Sequence, residues 1–145
     1  MLQLMHGALT PEIFAHLTQS VGWDVPPRDQ LRLALEHSLL TVTALEDGIP
    51  VGMARLCGDG FLTYYLEDVA ILPDYQGRHI GRRMIEDILT FIRSREHFGW
   101  KVRLELISAN GKEQFYERMG FERLPCAEDG AGMFLTVEKH APVTL

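Results

Sequence analysis

Cysteine is scarce in this chain of 145 residues, occurring only as Cys57 and Cys126. The two lie far apart and form neither a C-x-x-C nor a zinc-ligand spacing, so no metal site is indicated and two reduced thiols are the expectation. Positive charge is also short: 14 Lys plus Arg stand against 20 Asp plus Glu, a formal net charge of -6. A field of that sign repels polyanions, which argues against a nucleic-acid partner and suits a cationic molecule such as an amine. No apolar run approaches the roughly 18 residues needed to span a bilayer. The start Met1-Leu2-Gln3-Leu4-Met5-His6 lacks the basic lead and long apolar stretch of an export signal, so a cytoplasmic location without membrane contact is expected. Repeats, low-complexity tracts and long Pro, Gly or Ser linkers are missing too, and a single domain over residues 1–145 is expected.

What is present is an apolar fraction of 46%, enough to close a core. Thr10-Pro11-Glu12 offers an N-cap, a Pro at the first helical position and an acidic first turn, with Ile13, Phe14, Leu17 and Val21 at helical spacing behind it. A second helix is expected from Pro27 to His37. Ser38 to Leu45 and Val51 to Cys57, joined by Glu46-Asp47-Gly48, read as a β-hairpin. Leu62 to Leu72 reads as a central strand stopped by Pro73. Ile80, Met84, Ile88, Phe91 and Ile92 then share one helical face down to about Glu96. A strand from Val102 to Ile107 follows, then a short helix from Gly111 to Met119, capped by Asn110 and ended by Gly120. Phe121 to Leu124 and Gly132 to Glu138 read as a closing pair of strands.

The passage from the central strand through Tyr75-Gln76-Gly77-Arg78-His79-Ile80-Gly81-Arg82-Arg83 carries the most chemistry. The first amides of a helix lack internal partners and sit at the positive end of its dipole, so a phosphate there collects several N–H donors. Gly77 and Gly81 allow close approach, and Arg78, Arg82 and Arg83 concentrate positive charge in an acidic chain. Neither the G-x-x-x-x-G-K-[ST] loop nor the G-x-G-x-x-G fingerprint occurs, which leaves both common nucleotide folds unsupported.

Gln76-Gly77-Arg78-His79-Ile80-Gly81 resembles the Gln/Arg-x-x-Gly-x-Gly/Ala loop of the GNAT acetyltransferases. His79 stands where that family usually has its first Gly; His tolerates positive φ better than most residues, and its amide still donates. A second stretch, Asn110 to Phe121, is similar to the family's segment ending Phe-Tyr-x-x-x-Gly-Phe. The order and separation of the two motifs agree as well. The resemblance implies a GNAT-type α/β (α+β) domain with a mostly antiparallel, mixed, twisted sheet of about six or seven strands flanked by about four helices. It implies acetyl-CoA as co-substrate, with Val69, Ala70 and Ile71 pairing with the pantetheine arm. Gln76, Gly77, Arg78, His79, Ile80, Gly81 and Arg82 would hold the diphosphate. Asn110 either bonds the pantetheine amide or caps its helix.

Acetyl transfer to an amine needs a neutral lone pair, a polarised carbonyl and a proton for the departing thiolate. Tyr116 matches the family's proton donor, since a phenol of pKa near 10 can protonate a thiolate. A backbone N–H near Val69 to Ile71 would polarise the carbonyl, with no metal required. Of the pair Glu67 and Asp68, strand alternation points one to each face; Asp68 is taken as base and Glu67 as acceptor ligand, with Glu105 a third candidate. The expected function is N-acetylation of a primary amine on a small molecule, by direct attack in a ternary complex. Alternatives are a CoA-binding sensor without turnover and acetylation of a protein amine. Leu66-Glu67-Asp68-Val69-Ala70-Ile71 with Tyr75-Gln76-Gly77 also resembles glucosamine-phosphate N-acetyltransferases, so an amino sugar phosphate joins arylalkylamines and polyamines as a candidate acceptor. The acceptor would meet loops around Gly22 to Arg28 and Pro125 to Gly130. A homodimer is left open.

Overall fold

The computed structural model describes residues 1–140. By compactness the chain divides into Met1–Leu106 and a second unit beginning at Ile107. The first unit holds a five-stranded sheet in the order β1 (Leu2–His6), β2 (Leu40–Glu46), β3 (Ile49–Gly58), β4 (Thr63–Ile71), β5 (Arg103–Glu105). Every neighbouring pair is antiparallel except β4 with β5. Three helices accompany it: α1 (Pro11–Ser20), α2 (Arg28–Glu36) and α3 (Ile80–Arg95). The mixed, mostly antiparallel α/β architecture therefore stands, with five strands among the described residues where six or seven were expected.

Local chemistry explains the first elements. Thr10 Oγ1 accepts the Ile13 amide at 3.2 Å and Pro11 opens α1, as its sequence indicates. Between β2 and β3, Asp47 and Gly48 take φ of 49° and 81°, the two positive values that a twist-compatible two-residue hairpin requires. Before β4, Asp59 Oδ1 accepts the amides of Phe61, Leu62 and Thr63 at 2.8, 2.7 and 2.9 Å, which closes the turn. β1 is a strand that the sequence does not announce. It pairs with β2 from Leu2↔Glu46 to His6↔Val42 and is held at its end by His6 Nε2 against Asp87 Oδ2 at 2.5 Å.

β3 is central, and Val51 through Ala54 are buried without alternation because both faces of the sheet are covered. On the face carrying Met53 and Ala70, Phe14 and Leu17 of α1, Leu31 of α2 and Leu9, which precedes α1, join one core. α3 buries Ile80, Met84, Ile85, Ile88 and Ile92, a stripe at helical spacing worth about 1.5–3 kcal/mol per side chain. It covers the face of Tyr64: the Tyr64 hydroxyl and Arg95 Nε both donate to the Gly60 carbonyl, at 2.6 and 3.2 Å.

In the second unit, α4 (Glu113–Arg118) is ended by Gly120 at φ 100°, with the Phe121 amide donating to Tyr116 O at 3.2 Å. Two expectations fail here. Asn110 is not the cap: Gly111 turns the chain at φ 83°, the helix starts later, and Lys112 is its N-cap with no side-chain hydrogen bond. The strands expected over Phe121 to Leu124 and Gly132 to Glu138 are absent, and Met133, Phe134, Leu135 and Val137 are exposed. An alternating apolar segment becomes a strand only where an edge pairs with it and its apolar side is covered, and neither holds at these residues.

Candidate active site

β4 changes character half-way along. Its parallel pairing with β5 consists of Thr63↔Arg103, Tyr64↔Leu104 and Tyr65↔Glu105. Beyond Tyr65, no strand among the described residues pairs with that edge of β4, so Leu66 to Ile71 present backbone groups along an open side. Toward β3 the register runs Met53↔Ala70 and then Arg55↔Glu67, so Ala54 faces two residues, Asp68 and Val69. That is a β-bulge, and Asp68 bears it at φ 56°, a left-handed conformation rare for a residue with a side chain.

The bulge cancels the alternation expected for Glu67 and Asp68. Asp68 Oδ2 accepts from Arg55 Nε at 2.9 Å, while Glu67 is the cross-strand partner of Arg55 and feels its charge without a hydrogen bond to it. Arg55 also reaches Cys57 Sγ at 3.0 Å and Ser38 Oγ at 3.4 Å through Nη1. Burial, and secondly the Asp68 charge, push the Glu67 carboxyl above its ordinary range, with Arg55 opposing. Burial first, then Glu67 and Glu105, raise the Tyr65 phenol, and burial raises the Cys57 thiol. Tyr65, Glu67 and Glu105 thus form an acidic group beside the open edge. Arg55 and Asp68, with Phe14, Pro26, Gln30, Leu31 and Ala34 of α1, α2 and the segment between them, line a cleft of about 160 Å³. Pro26 falls in one of the two loops expected to meet the acceptor.

Past β4 the chain makes a short turn of 3₁₀ helix, Pro73–Tyr75, and enters α3. Gly77 takes φ 77° and His79, the N-cap of α3, takes φ 63° and ψ 17°. The first amide to find a helical carbonyl is that of Arg83, which donates to His79 O at 3.1 Å; those of Ile80, Gly81 and Arg82 precede it and lack such a partner. No acidic side chain stands in this first turn. Gln76 Nε2 donates to Ile71 O at 3.0 Å and ties the loop to the end of β4. Arg78 lies over the Tyr75 ring at 4.8 Å, and Arg82 Nε bonds Glu86 Oε1 at 3.0 Å. The open strand edge and the unpartnered amides suit an amide-bearing arm that ends in a diphosphate.

In the second unit, Tyr116 is half-buried against Phe115 and Phe121, with ring centroids 5.0 and 5.7 Å away, and burial raises its phenol above 10.0. Asn110 is exposed. Sequence reasoning missed Arg55 and Tyr65. Arg55 had a signal, as a cation inside an otherwise apolar strand requires a carboxylate partner.

The family model for the acetyltransferase (GNAT) domain matches residues 37–123. The chain belongs to the GNAT acetyltransferases. It is 33% identical over 134 residues to serotonin N-acetyltransferase 2, chloroplastic, of Oryza sativa, covering 88% of this chain and 62% of the rice protein. Among solved structures, a probable acetyltransferase of unknown function from Staphylococcus aureus matches with a TM-score of 0.82 and 26% identity, over 94% of this chain and 100% of that one. A GNAT acetyltransferase from Brucella melitensis, solved in complex with acetyl-CoA, shares the fold at a TM-score of 0.59 and 23% identity, over 84% and 83% of the two chains. No helix among the described residues of this GNAT chain is long and apolar enough to cross a membrane.

Proposed function

We propose that this GNAT protein transfers an acetyl group from acetyl-CoA to the primary amine of a small molecule, by direct attack in a ternary complex. The observation that carries the reading is the open, bulged edge of β4 leading into the unpartnered amides of α3. Val69 and Ala70 would pair with the pantetheine arm, with Gln76 bracing the Ile71 carbonyl. Amides from Gly77 to Arg82 would hold the diphosphate, helped by Arg78, Arg82 and Arg83.

Acetyl-CoA, when bound, supplies a thioester whose C–S bond breaks as the bond from carbonyl carbon to amine nitrogen forms. Glu67 is the better base of the carboxylate pair, since burial raises its carboxyl above the ordinary range and Asp68 is engaged by Arg55. It takes the proton that the acceptor ammonium must lose. An amide at the bulge polarises the carbonyl. Tyr116, held protonated by burial, gives its proton to the thiolate and is reprotonated, through water, by the proton that the attacking nitrogen sheds as the amide forms. Asp68 and Glu105 add negative charge that favours a cationic acceptor. The apolar walls of the cleft, Phe14, Leu31 and Ala34, favour an amine with an apolar body, and the rice relative, named for serotonin, agrees with an arylalkylamine. The activity is assigned to the chain as a whole and placed in the cytoplasm. His79, the loop's departure from the usual Gly and the feature that would favour a non-catalytic CoA-binding module, takes φ 63°, the geometry that a Gly would supply.

A panel of amines with acetyl-CoA, followed by free-thiol release, tests the proposal. Turnover with at least one small amine, lost in Glu67→Gln, supports it. Tight acetyl-CoA binding without turnover on any amine, or turnover only on protein amines, overturns it.

A further inference from the structure

Arg55 places a cation on β3 beside the bulge, and its neighbours come from several directions. Asp68 receives its Nε at 2.9 Å, Cys57 Sγ and Ser38 Oγ lie 3.0 and 3.4 Å from its Nη1, and Glu67 stands opposite in register. Asp68 holds a left-handed φ of 56°, a conformation that persists only where surrounding contacts over-determine it. The bond from Arg55 is such a contact. Among the described residues, Glu67's carboxylate accepts no hydrogen bond, although it shares the same guanidinium's field. One carboxylate is therefore clamped and its neighbour is left exchangeable.

We propose that Arg55 is a positioning residue that divides the work of the carboxylate pair, fixing Asp68 in the bulge and leaving Glu67 as the group that exchanges a proton with the acceptor. The inference rests on the reading of Glu67 as base. The charged and titratable groups around Glu67 are Arg55 and Cys57 from β3 and Tyr65 and Asp68 from β4, with Glu105 of β5 acting on Tyr65. Two of them are singled out by opposite action: Asp68 disfavours the Glu67 carboxylate and Arg55 favours it. Their removal must then move the same titration in opposite directions. A lost side chain that merely loosened the fold would lower the rate without that signature.

The experiment is the pH profile of kcat/KM for the full chain with acetyl-CoA and a turned-over amine, for Arg55→Met, Asp68→Asn, their combination and Arg55→Lys. Arg55→Met is expected to shift the acidic limb upward by about one pH unit, as for loss of an opposite charge a few ångströms away. Asp68→Asn should shift it downward by a similar amount, the double variant should lie near wild type, and Arg55→Lys should restore the limb but not the full rate, because Lys cannot reproduce the planar fork. Glu67→Gln is run beside them. If Glu67→Gln keeps the acidic limb, the base reading itself fails. If it abolishes the limb while Arg55→Met and Asp68→Asn leave the limb in place or move it the same way, Arg55 has no positioning role. Should Arg55→Met fail to fold, Arg55→Gln replaces it with the same upward shift expected, and a downward or absent shift there overturns the proposal.

Discussion

Substitution at position 79 tests the diphosphate cradle without touching its amides. His79 is exposed, makes no side-chain cap, and stands at φ 63°, ψ 17° immediately before α3. The side chain can change with little packing loss, and only the backbone preference matters. A left-handed conformation costs an ordinary L-residue roughly 1–2 kcal/mol and a β-branched residue more, while Gly adopts it freely. His79→Gly removes that cost but adds chain entropy of about 0.5–1 kcal/mol on ordering, so its affinity for acetyl-CoA should stay within a few-fold of wild type. His79→Val must instead leave the left-handed region or strain to remain there. At about 1.4 kcal/mol per decade, an excess over His of roughly 1–2 kcal/mol for a β-branched residue weakens binding by about 5- to 30-fold. Isothermal titration with acetyl-CoA at fixed salt reads this, with the thermal midpoint as a check on folding. A Val variant that binds as wild type does, or a Gly variant that loses more than tenfold, refutes the claim that conformation at residue 79 shapes the cradle.

Three other outcomes follow from the same physics. Tyr116→Phe should lower kcat about a hundredfold with KM for acetyl-CoA unchanged, and, because burial raises the phenol above 10.0, the alkaline fall caused by its ionisation lies above that pH and is lost in the variant. Unchanged turnover removes Tyr116 from the mechanism. Gly58→Ala would set a Cβ 1.9 Å from the Thr63 carbonyl oxygen at φ 130°, so a loss of about 3 kcal/mol or more and a midpoint lower by about 10 °C are expected; a loss under about 1 kcal/mol contradicts the turn geometry. Asp59 is held below its ordinary 3.8 by the amides of Thr63, Leu62 and Phe61, so its contribution is complete above that pH and disappears as pH falls through the depressed folded value. Asp59→Asn should flatten this acid decline in chemical denaturation, and an unaltered slope would count against the turn.

Most of the first unit was legible because its signals are local. Thr10-Pro11 starts α1, Asp47-Gly48 makes the hairpin, and Ile80 to Ile92 carries the period of α3, each within a few residues of its consequence. The positive φ of His79 was legible too, from its place in the loop and the tolerance of His for that region. The bulge was not. It arises where β3 and β4 disagree in register by one residue, a non-local fact that reverses the inference from alternation about Glu67 and Asp68. β1 is five residues long, and only pairing with β2 makes it a strand. The strands expected near the C-terminus failed for the complementary reason, since apolar residues such as Phe134 and Val137 have no pairing edge at their positions. Arg55 was readable in principle as a cation in an apolar strand, but its partner, thirteen residues away, becomes visible only across the ladder.

Amide hydrogen exchange with and without saturating acetyl-CoA tests the central claim most directly. Slowed exchange confined to the end of β4, around Val69 to Ile71, and to Gly77 through Arg82 is the predicted result. Coenzyme binding that leaves those amides unprotected, or protects a different surface instead, would contradict it.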